Sequence, residues 1–215
     1  MMTHAYTAPA DIERRSFEII SEELGNRVFD PLEEPVIKRV IHTTADFSYA
    51  DNLVFTPHAV ERGLDALRSG ATVVTDTNMA LAGISKASLA ALGARAVCFM
   101  ADPDVAGRAR AAGTTRAHAC MDRACEIDGS IIIAVGNAPT ALLHLAELIR
   151  AGRIDPALVI GAPVGFVNVV EAKEELVAMP EVPSIVARGR KGGSTVAAAI
   201  VNALLYQLAR PGASR

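Results

Sequence analysis

Short apolar runs rich in β-branched residues alternate with longer helical patterns along most of this chain. The clearest run is Ile131–Val135, which is continuous, apolar and largely β-branched, as is typical of a strand buried on both faces of a sheet. Glycine and proline follow it, and a helical pattern extends over residues 139–150. A strand buried on both faces needs helices on both sides of its sheet. This feature therefore favours an α/β fold.

The same alternation recurs from about residue 50 onward. We predict strands over residues 53–55, 72–75, 96–100, 131–135, 158–160 and 184–187. Capping and turn residues predict helices over residues 11–25, from Asp30–Pro31 onward, and over 56–70, 78–82, from 102 onward, 139–150, 168–177 and 193–208. This order predicts a single doubly wound, mostly parallel sheet flanked by helices, with right-handed crossovers. The first strand is so short that antiparallel pairing stays open.

Composition limits the cellular context and the partners. The 215 residues contain no linker long enough to separate two domains, so we expect one domain over 1–215 with flexible ends at 1–10 and 209–215. A net charge of −3 gives no basic field for nucleic acid or an anionic membrane, and no apolar stretch is long enough to span a bilayer. Three cysteines without a pairing pattern and no signal peptide favour the cytoplasm.

Ligands of open α/β sheets bind beyond the carboxyl ends of the strands, so the segments after the predicted strands are informative. They are residues 76–79, 136–140, 161–166 and 188–195. The last places Arg188, Arg190 and Lys191 before two glycines and a helix N-terminus, which together favour an anion. A solvated basic turn explains the same residues equally well. The glycine spacings match neither a Walker loop nor a dinucleotide fingerprint.

The histidines differ in their sequence surroundings. His42 stands three residues after Arg39 near the end of a predicted helix, so the two side chains project together. Compensation of the helix dipole explains that pair as well. His144, three residues before Glu147, is predicted on a solvated helix face. His118, Cys120 and Cys125 lack metal-ligand spacing, so we expect ordinary helix residues and no metal site.

Several segments, taken in order, resemble the precorrin-8X methylmutase family of cobalamin biosynthesis and its cobalt-precorrin-8 counterparts. Together they span about residues 11–205, and the ordered set is highly specific although each segment alone is weak. The segments are Arg14–Ile20, Ile41-His42, Asp76–Met79 with Gly83-Ile84, Gly136–Leu142, Gly161–Val167, Glu171–Glu174 and Arg188–Ser194.

The resemblance implies an α/β homodimer that moves a methyl group from carbon eleven to carbon twelve of a tetrapyrrole ring. Because that step is formally a 1,5-sigmatropic shift, it implies no methyl donor and no cofactor, and the partners are a corrinoid substrate and product. The position of His42 is catalytic in the family and lies near a ring nitrogen. The positions of Ser16 and Arg39 are associated with substrate contact.

These implications give a hypothesis for the whole site. His42, as imidazolium, would donate a proton or strong hydrogen bond to the macrocycle. A local basic rim would hold the acetate and propionate groups, with Arg39, Arg116, Arg188, Arg190 and Lys191 as its candidates. The loops would supply further substrate-binding residues, namely Thr77, Asn78, Gly136, Asn137, Gly161, Gly192 and Ser194.

Two other classes of function remain open from the sequence. A non-catalytic tetrapyrrole carrier would use the same pocket but bind without rearranging the ring. A nucleotide- or phosphate-using enzyme could act through residues 189–194, although fold analogy alone supports it.

Overall fold

The computed structural model describes residues 8–210. Their six strands form one sheet in the order β1-β6-β5-β4-β2-β3. The strands are β1 (Leu53–Phe55), β2 (Thr72–Thr75), β3 (Arg95–Val97), β4 (Ile131–Val135), β5 (Leu158–Gly161) and β6 (Ser184–Ala187). Every neighbouring pair is parallel except β1 with β6, in which Leu53 lies opposite Ala187 and Phe55 opposite Ile185. The mostly parallel sheet is confirmed, and the open question about the first strand is settled as antiparallel.

Eleven helices connect these strands within the described part of the chain. They are α1 (Pro9–Leu24), α2 (Glu34–Thr44), α3 (Tyr49–Asn52), α4 (Ala59–Arg68), α5 (Asn78–Gly83), α6 (Lys86–Ala91), α7 (Pro103–Ala112), α8 (Arg116–Ala124), α9 (Pro139–Arg150), α10 (Val169–Val177) and α11 (Ser194–Leu208). None of the helices described in residues 8–210 has both the length and the apolar character needed to cross a membrane.

The two faces of the sheet carry two separate hydrophobic layers. On one face, α1, α2, α4 and α11 pack over side chains such as Ile132 and Ile160. On the other face, α7 to α10 pack over Val74, Ile133 and Val159. Alternate residues of each strand point to opposite faces, so every residue of β4 is buried. Helices on both faces confirm the doubly wound architecture.

The predicted start of α2 at Asp30–Pro31 is wrong. Residues 31–33 form a turn, and the helix begins at Glu34 with Pro35 in its first turn. Asp30 Oδ1 accepts a hydrogen bond from the Leu32 N–H at 2.8 Å. The side chain therefore caps a turn rather than the helix, because Asp favours local backbone bonding of this kind.

Other limits also differ from the sequence predictions. The helix expected from residue 56 starts at Ala59, because His58 takes a left-handed conformation with φ 62°. The strand expected at 96–100 ends at Val97, where its pairing with β2 ends. Helices α3 and α6 were not predicted. Of the ends expected to be flexible, Pro9 and Ala10 belong to α1, whereas residues 1–7 and 211–215 lie outside the described residues.

Candidate active site

His42 lies near the C-terminal end of α2, where the helix geometry directs it toward α1. The opposite side of α2 is apolar, with Val36 and Val40 fully buried in the core. The positions that remain on the other flank include Arg39 and His42, one turn apart. Helix α2 ends after Thr44 with Ala45 in the left-handed conformation, φ 53°, and the Ala45 N–H donates to the Ile41 carbonyl.

Two residues of α1 hold the His42 ring. The Ser16 Oγ lies 2.8 Å from His42 Nδ1, within hydrogen-bond distance. The Phe17 ring stacks on the imidazole, with ring centroids 5.1 Å apart and planes inclined by 16°. Because these contacts occupy Nδ1 and one ring face, Nε2 is the nitrogen left for a ligand.

Arg39 is fixed by contacts on three sides. Its guanidinium lies over Phe17 at 4.7 Å and over Tyr206 at 5.1 Å, measured to the ring centroids. Its Nη1 pairs with Glu13 Oε1 at 2.8 Å, and Glu13 also pairs with Arg210. Arg39, Phe17, Tyr206 and Arg210 border a cavity of about 330 Å³ beside α2 and α11. The charge of Arg39 is therefore already balanced.

These charges determine the protonation of His42. Partial burial is the main cause that lowers the pKa of His42, and the Arg39 charge lowers it further, while Glu13 opposes the change. A histidine whose pKa lies below its ordinary value near 6.5 is mostly neutral at pH 7. In the unliganded protein, His42 is therefore an imidazole rather than an imidazolium.

A buried carboxylate organises the loops at the carboxyl ends of β2 and β4. Asp76 directly follows β2 and is 1% exposed. Its two oxygens accept backbone N–H groups of Gly136, Asn137 and Ala138 at 2.7–2.8 Å. Burial raises the pKa of Asp76, and the three donors oppose that rise by stabilising the carboxylate. Asp76 thus ties the two loops together at the N-terminus of α9.

The loop after β6 packs closely on the same loops. Thr77 Oγ1 and Ser194 Oγ lie 2.7 Å apart. A Cβ on Gly136 would come within 2.7 Å of the Ser194 backbone, and one on Gly192 within 2.3 Å of the Ala162 carbonyl oxygen. Only glycine allows these close approaches. The structure therefore brings Thr77, Gly136, Gly192 and Ser194 together.

The loop after β6 carries Arg188, Arg190 and Lys191 and is called the basic loop here. It also joins these four residues to the segment that follows α2. Lys191 Nζ donates to Asp46 Oδ2 at 2.6 Å and to Ser48 Oγ at 3.0 Å. Asp46 lies just beyond the end of α2, the helix that carries His42. Behind the loop, the fully buried Lys173 donates to the carbonyls of Gly189 and Lys191. Burial lowers the pKa of Lys173 to about 8.

Other predicted site residues are placed differently. Asn78, Asn137 and Arg116 are exposed at the N-terminal ends of α5, α9 and α8. The space beside Gly161 faces Leu176, Leu142 and Val186 in the core rather than a cavity.

The basic-rim residues also differ among themselves. Arg188 forms a two-pronged pair with Glu174, whereas the Arg190 guanidinium lies over the Phe166 ring at 5.5 Å. Among the described residues, Arg116 and Arg190 form no ion pair with a carboxylate.

Large apolar side chains surround the loop cluster at the surface. Phe166 is 83% and Val167 76% exposed after β5, and Met79 is 68% exposed in α5. Ile12 and Ile19 of α1 are also exposed. Apolar groups collected next to a polar loop cluster are typical of a ligand or subunit contact.

The prediction that His144 lies on a solvated face is wrong. Its side chain is 13% exposed and stacks on His118 of the neighbouring helix. Cys120, which the sequence analysis considered together with His118, lies in the hydrophobic core instead of beside the His118 ring. Burial raises the pKa of the Cys120 thiol to about 12.

Sequence reasoning missed several residues that shape the site. Glu13, Phe17 and Tyr206 position Arg39 and His42, but their spacing gave no signal across three separate helices. Asp76 did give a signal in the sequence, because it is a carboxylate directly after an apolar strand, and a buried carboxylate needs hydrogen-bond partners.

Comparisons with known proteins show the family of this chain. The model of the precorrin-8X methylmutase family matches residues 11–207. The cobalt-precorrin-8 methylmutase of Salmonella typhimurium is 46% identical over 95% of this chain and 98% of its own length. The precorrin-8X methylmutase of Pseudomonas aeruginosa is 40% identical over 90% of this chain and 93% of its own.

A solved structure extends the similarity to three dimensions. The precorrin-8X methylmutase of Thermus thermophilus superposes with a TM-score of 0.83 and 46% identity, covering 90% of this chain and 95% of the other. Family match, sequence identity and fold therefore agree along nearly the whole chain. The chain belongs to the precorrin-8X methylmutase family, whose members are isomerases of cobalamin biosynthesis.

Proposed function

We propose that this isomerase moves the methyl group of a precorrin-8-type macrocycle from carbon eleven to carbon twelve, and that His42 acts on the ring through Nε2. The observation that carries this assignment is the 2.8 Å contact between Ser16 Oγ and His42 Nδ1. It fixes one nitrogen of the imidazole inside the protein and leaves the other for the substrate.

The Ser16 contact also selects a tautomer of His42. When the Ser16 hydroxyl donates to Nδ1, the neutral imidazole carries its proton on Nε2. That N–H can then donate a hydrogen bond to a nitrogen of the macrocycle. Donation there withdraws electron density from the conjugated system as the methyl group migrates, and no atom is added to or lost from the substrate.

This version modifies the imidazolium hypothesis. The lowered pKa of His42 makes the neutral form the resting state. A carboxylate-rich macrocycle brings negative charge, which raises the pKa of a nearby imidazole and so increases the imidazolium fraction when the substrate is bound. In that form the Nε2–H gives the ring nitrogen a stronger, charge-assisted hydrogen bond, and the proton stays with His42 when the product leaves. A positioned acid contributes about 10²–10⁴-fold. Orientation of the ring by the loops supplies the rest.

The loop cluster is proposed to hold the acetate and propionate groups. Thr77 and Ser194 place hydroxyls beside Gly136, and Asn78 and Asn137 add exposed amides. The N-terminus of α11 directs its backbone dipole to the same place, which favours carboxylates, whereas the amides before α9 already bind Asp76. Gly161 and Gly192 would contribute by shaping the loops, because their missing side chains allow close packing.

The basic rim divides into two groups. Arg116 and Arg190 would meet substrate carboxylates directly. Arg39, Arg188 and Lys191 are paired with Glu13, Glu174 and Asp46, so substrate contact would require an exchange of partners. Arg188 and Lys191 are exposed, and such an exchange returns little energy at an exposed position.

We further propose a homodimer that works in the cytoplasm. The exposed apolar side chains of α1 and of the loop after β5 support a subunit contact. The three free cysteines support a reducing compartment.

The test is conversion of the substrate by His42→Ala, followed by the change in the ultraviolet–visible spectrum. Both precorrin-8X and cobalt-precorrin-8 should be offered, because relatives of both names are similar to this chain. We expect a loss of about 10²–10⁴-fold in turnover. His58→Ala is the control, since His58 is exposed and its ring lies beside Glu61 rather than Ser16.

Two results would contradict the proposal. Turnover of His42→Ala at the wild-type rate would remove His42 from catalysis. If the unmodified protein bound one equivalent of the substrate and the spectrum of the macrocycle did not change to that of the product, the result would favour a carrier.

A further inference from the structure

A cluster of metal-ligating side chains lies outside the site described above. His118 and Asp122 are one turn apart on α8, and His144 and Glu147 are one turn apart on α9. The two helices pack side by side on the face of the sheet opposite α2. One nitrogen each from His118 and His144 and one oxygen of Glu147 lie within 4.8 Å of one another.

Both ring nitrogens of His144 face carboxylate oxygens. Nε2 lies 2.9 Å from Asp122 Oδ1, and Nδ1 lies 3.0 Å from Glu147 Oε2. A neutral imidazole carries one proton, so it can donate to only one of two carboxylates. If Nε2–H donates to Asp122, the lone pair of Nδ1 faces an anionic oxygen, and either a second proton on the ring or a bound cation relieves that contact.

His118 adds a second unmet requirement. Its ring stacks on His144 with centroids 3.4 Å apart, and its Nδ1 is buried with no hydrogen-bond partner in residues 8–210. Buried ring nitrogens normally have a partner.

We propose that His118, His144 and Glu147 bind a divalent transition metal of the zinc class. Asp122 holds the distal nitrogen of His144 in this arrangement, as a carboxylate commonly does behind a metal-bound histidine. Two imidazoles and one carboxylate suit zinc, whereas magnesium prefers oxygen ligands alone. The bound ion would join α8 to α9 on the side of the sheet away from His42.

Binding requires two small movements. The stacked rings direct their lone pairs in nearly parallel directions, so one ring must turn about its Cβ–Cγ bond, which is a broad torsion. The Glu147 side chain is 68% exposed and can move toward the ion. The proposal requires these two movements together to place the ligand atoms at the roughly 2.0–2.2 Å of zinc coordination.

The test is calorimetric titration of ZnCl₂ into the full chain, purified without a histidine tag and treated with chelator. We expect one equivalent of Zn²⁺ per chain and no comparable binding of MgCl₂. His118→Ala and His144→Ala should each weaken Zn²⁺ binding by about tenfold or more. Glu147→Gln, at an exposed position, tests the same site without threatening the fold.

Two variants serve as matched controls. His58→Ala removes another histidine with a glutamate three residues later, Glu61, but with no second histidine beside it. Cys125→Ser removes the half-buried thiol just after α8. Both should bind Zn²⁺ as the unmodified chain does. Failure of the unmodified chain to bind Zn²⁺, or binding that survives the His118 and His144 changes, would overturn the proposal.

Discussion

His42 and His144 are both partly buried histidines on helices, but their ring nitrogens are used differently. His42 has one hydroxyl partner, Ser16, and keeps Nε2 for a ligand. His144 faces a carboxylate at each nitrogen. A hydroxyl partner fixes a tautomer without adding charge, whereas two carboxylates demand a positive charge between them. The comparison shows why α2 can serve an organic substrate and the α8–α9 pair a cation.

The largest effect on stability should separate these two histidines. His144→Ala removes a charge-assisted contact with a carboxylate and the stack on His118, so we expect it to lower the free energy of unfolding by about 1–3 kcal/mol. His42→Ala loses the stack on Phe17 and one neutral hydrogen bond, so it should cost less, about 1 kcal/mol. Chemical denaturation in chelator, without added metal, measures both. Equal losses would remove the distinction.

The next effect concerns the tautomer of His42. Ser16→Ala should lower turnover by up to about tenfold, which corresponds to the loss of one neutral hydrogen bond. Ser21→Ala is the control, because Ser21 lies on the same helix but donates to the Phe17 carbonyl. A Ser16 variant with unchanged turnover would show that the hydroxyl does not position the imidazole.

In the basic loop, Arg190 has no carboxylate partner among the described residues, whereas Arg188 is paired with Glu174. Arg190→Ala should weaken corrinoid binding by a few-fold at low salt, with a smaller loss at high salt, because exposed charges are screened. Arg188→Ala should have less effect, because Glu174 already neutralises Arg188. Losses that do not depend on salt, or a larger effect of Arg188, would argue against this division.

The smallest effects concern the charges around His42. Removing the Arg39 charge with Arg39→Gln should raise the pKa of His42, because Arg39 lowers it. Glu13→Gln should lower the pKa further, because Glu13 raises it. Titration of the His42 ring protons by NMR measures both shifts. Shifts in the opposite directions would contradict the electrostatic account.

Much of the fold could be predicted from local sequence patterns. The strands β1, β2, β4 and β6 and the helix α9 have the predicted limits, because continuous apolar runs and turn residues specify them locally. The start of α2 could not be predicted in the same way. Asp30 caps either a helix or a turn, and packing decides between them.

The candidate site was predictable only where its residues are close in sequence. His42 with Arg39, and the residues of each loop, could be named from the chain. The contacts of His42 with Ser16, of Arg39 with Glu13 and of His118 with His144 join separate helices, so only the packing of the layers brings them together. A polar residue on a helix also gives no sign of whether its face is covered, which explains the error at His144.

A crystal structure with the corrinoid product bound would test the central claim most directly. The account predicts that Nε2 of His42 lies within about 2.7–3.2 Å of a macrocycle nitrogen while Nδ1 keeps its contact with Ser16. A product bound with Nε2 facing solvent, or with the ring away from α2 in either subunit, would contradict it.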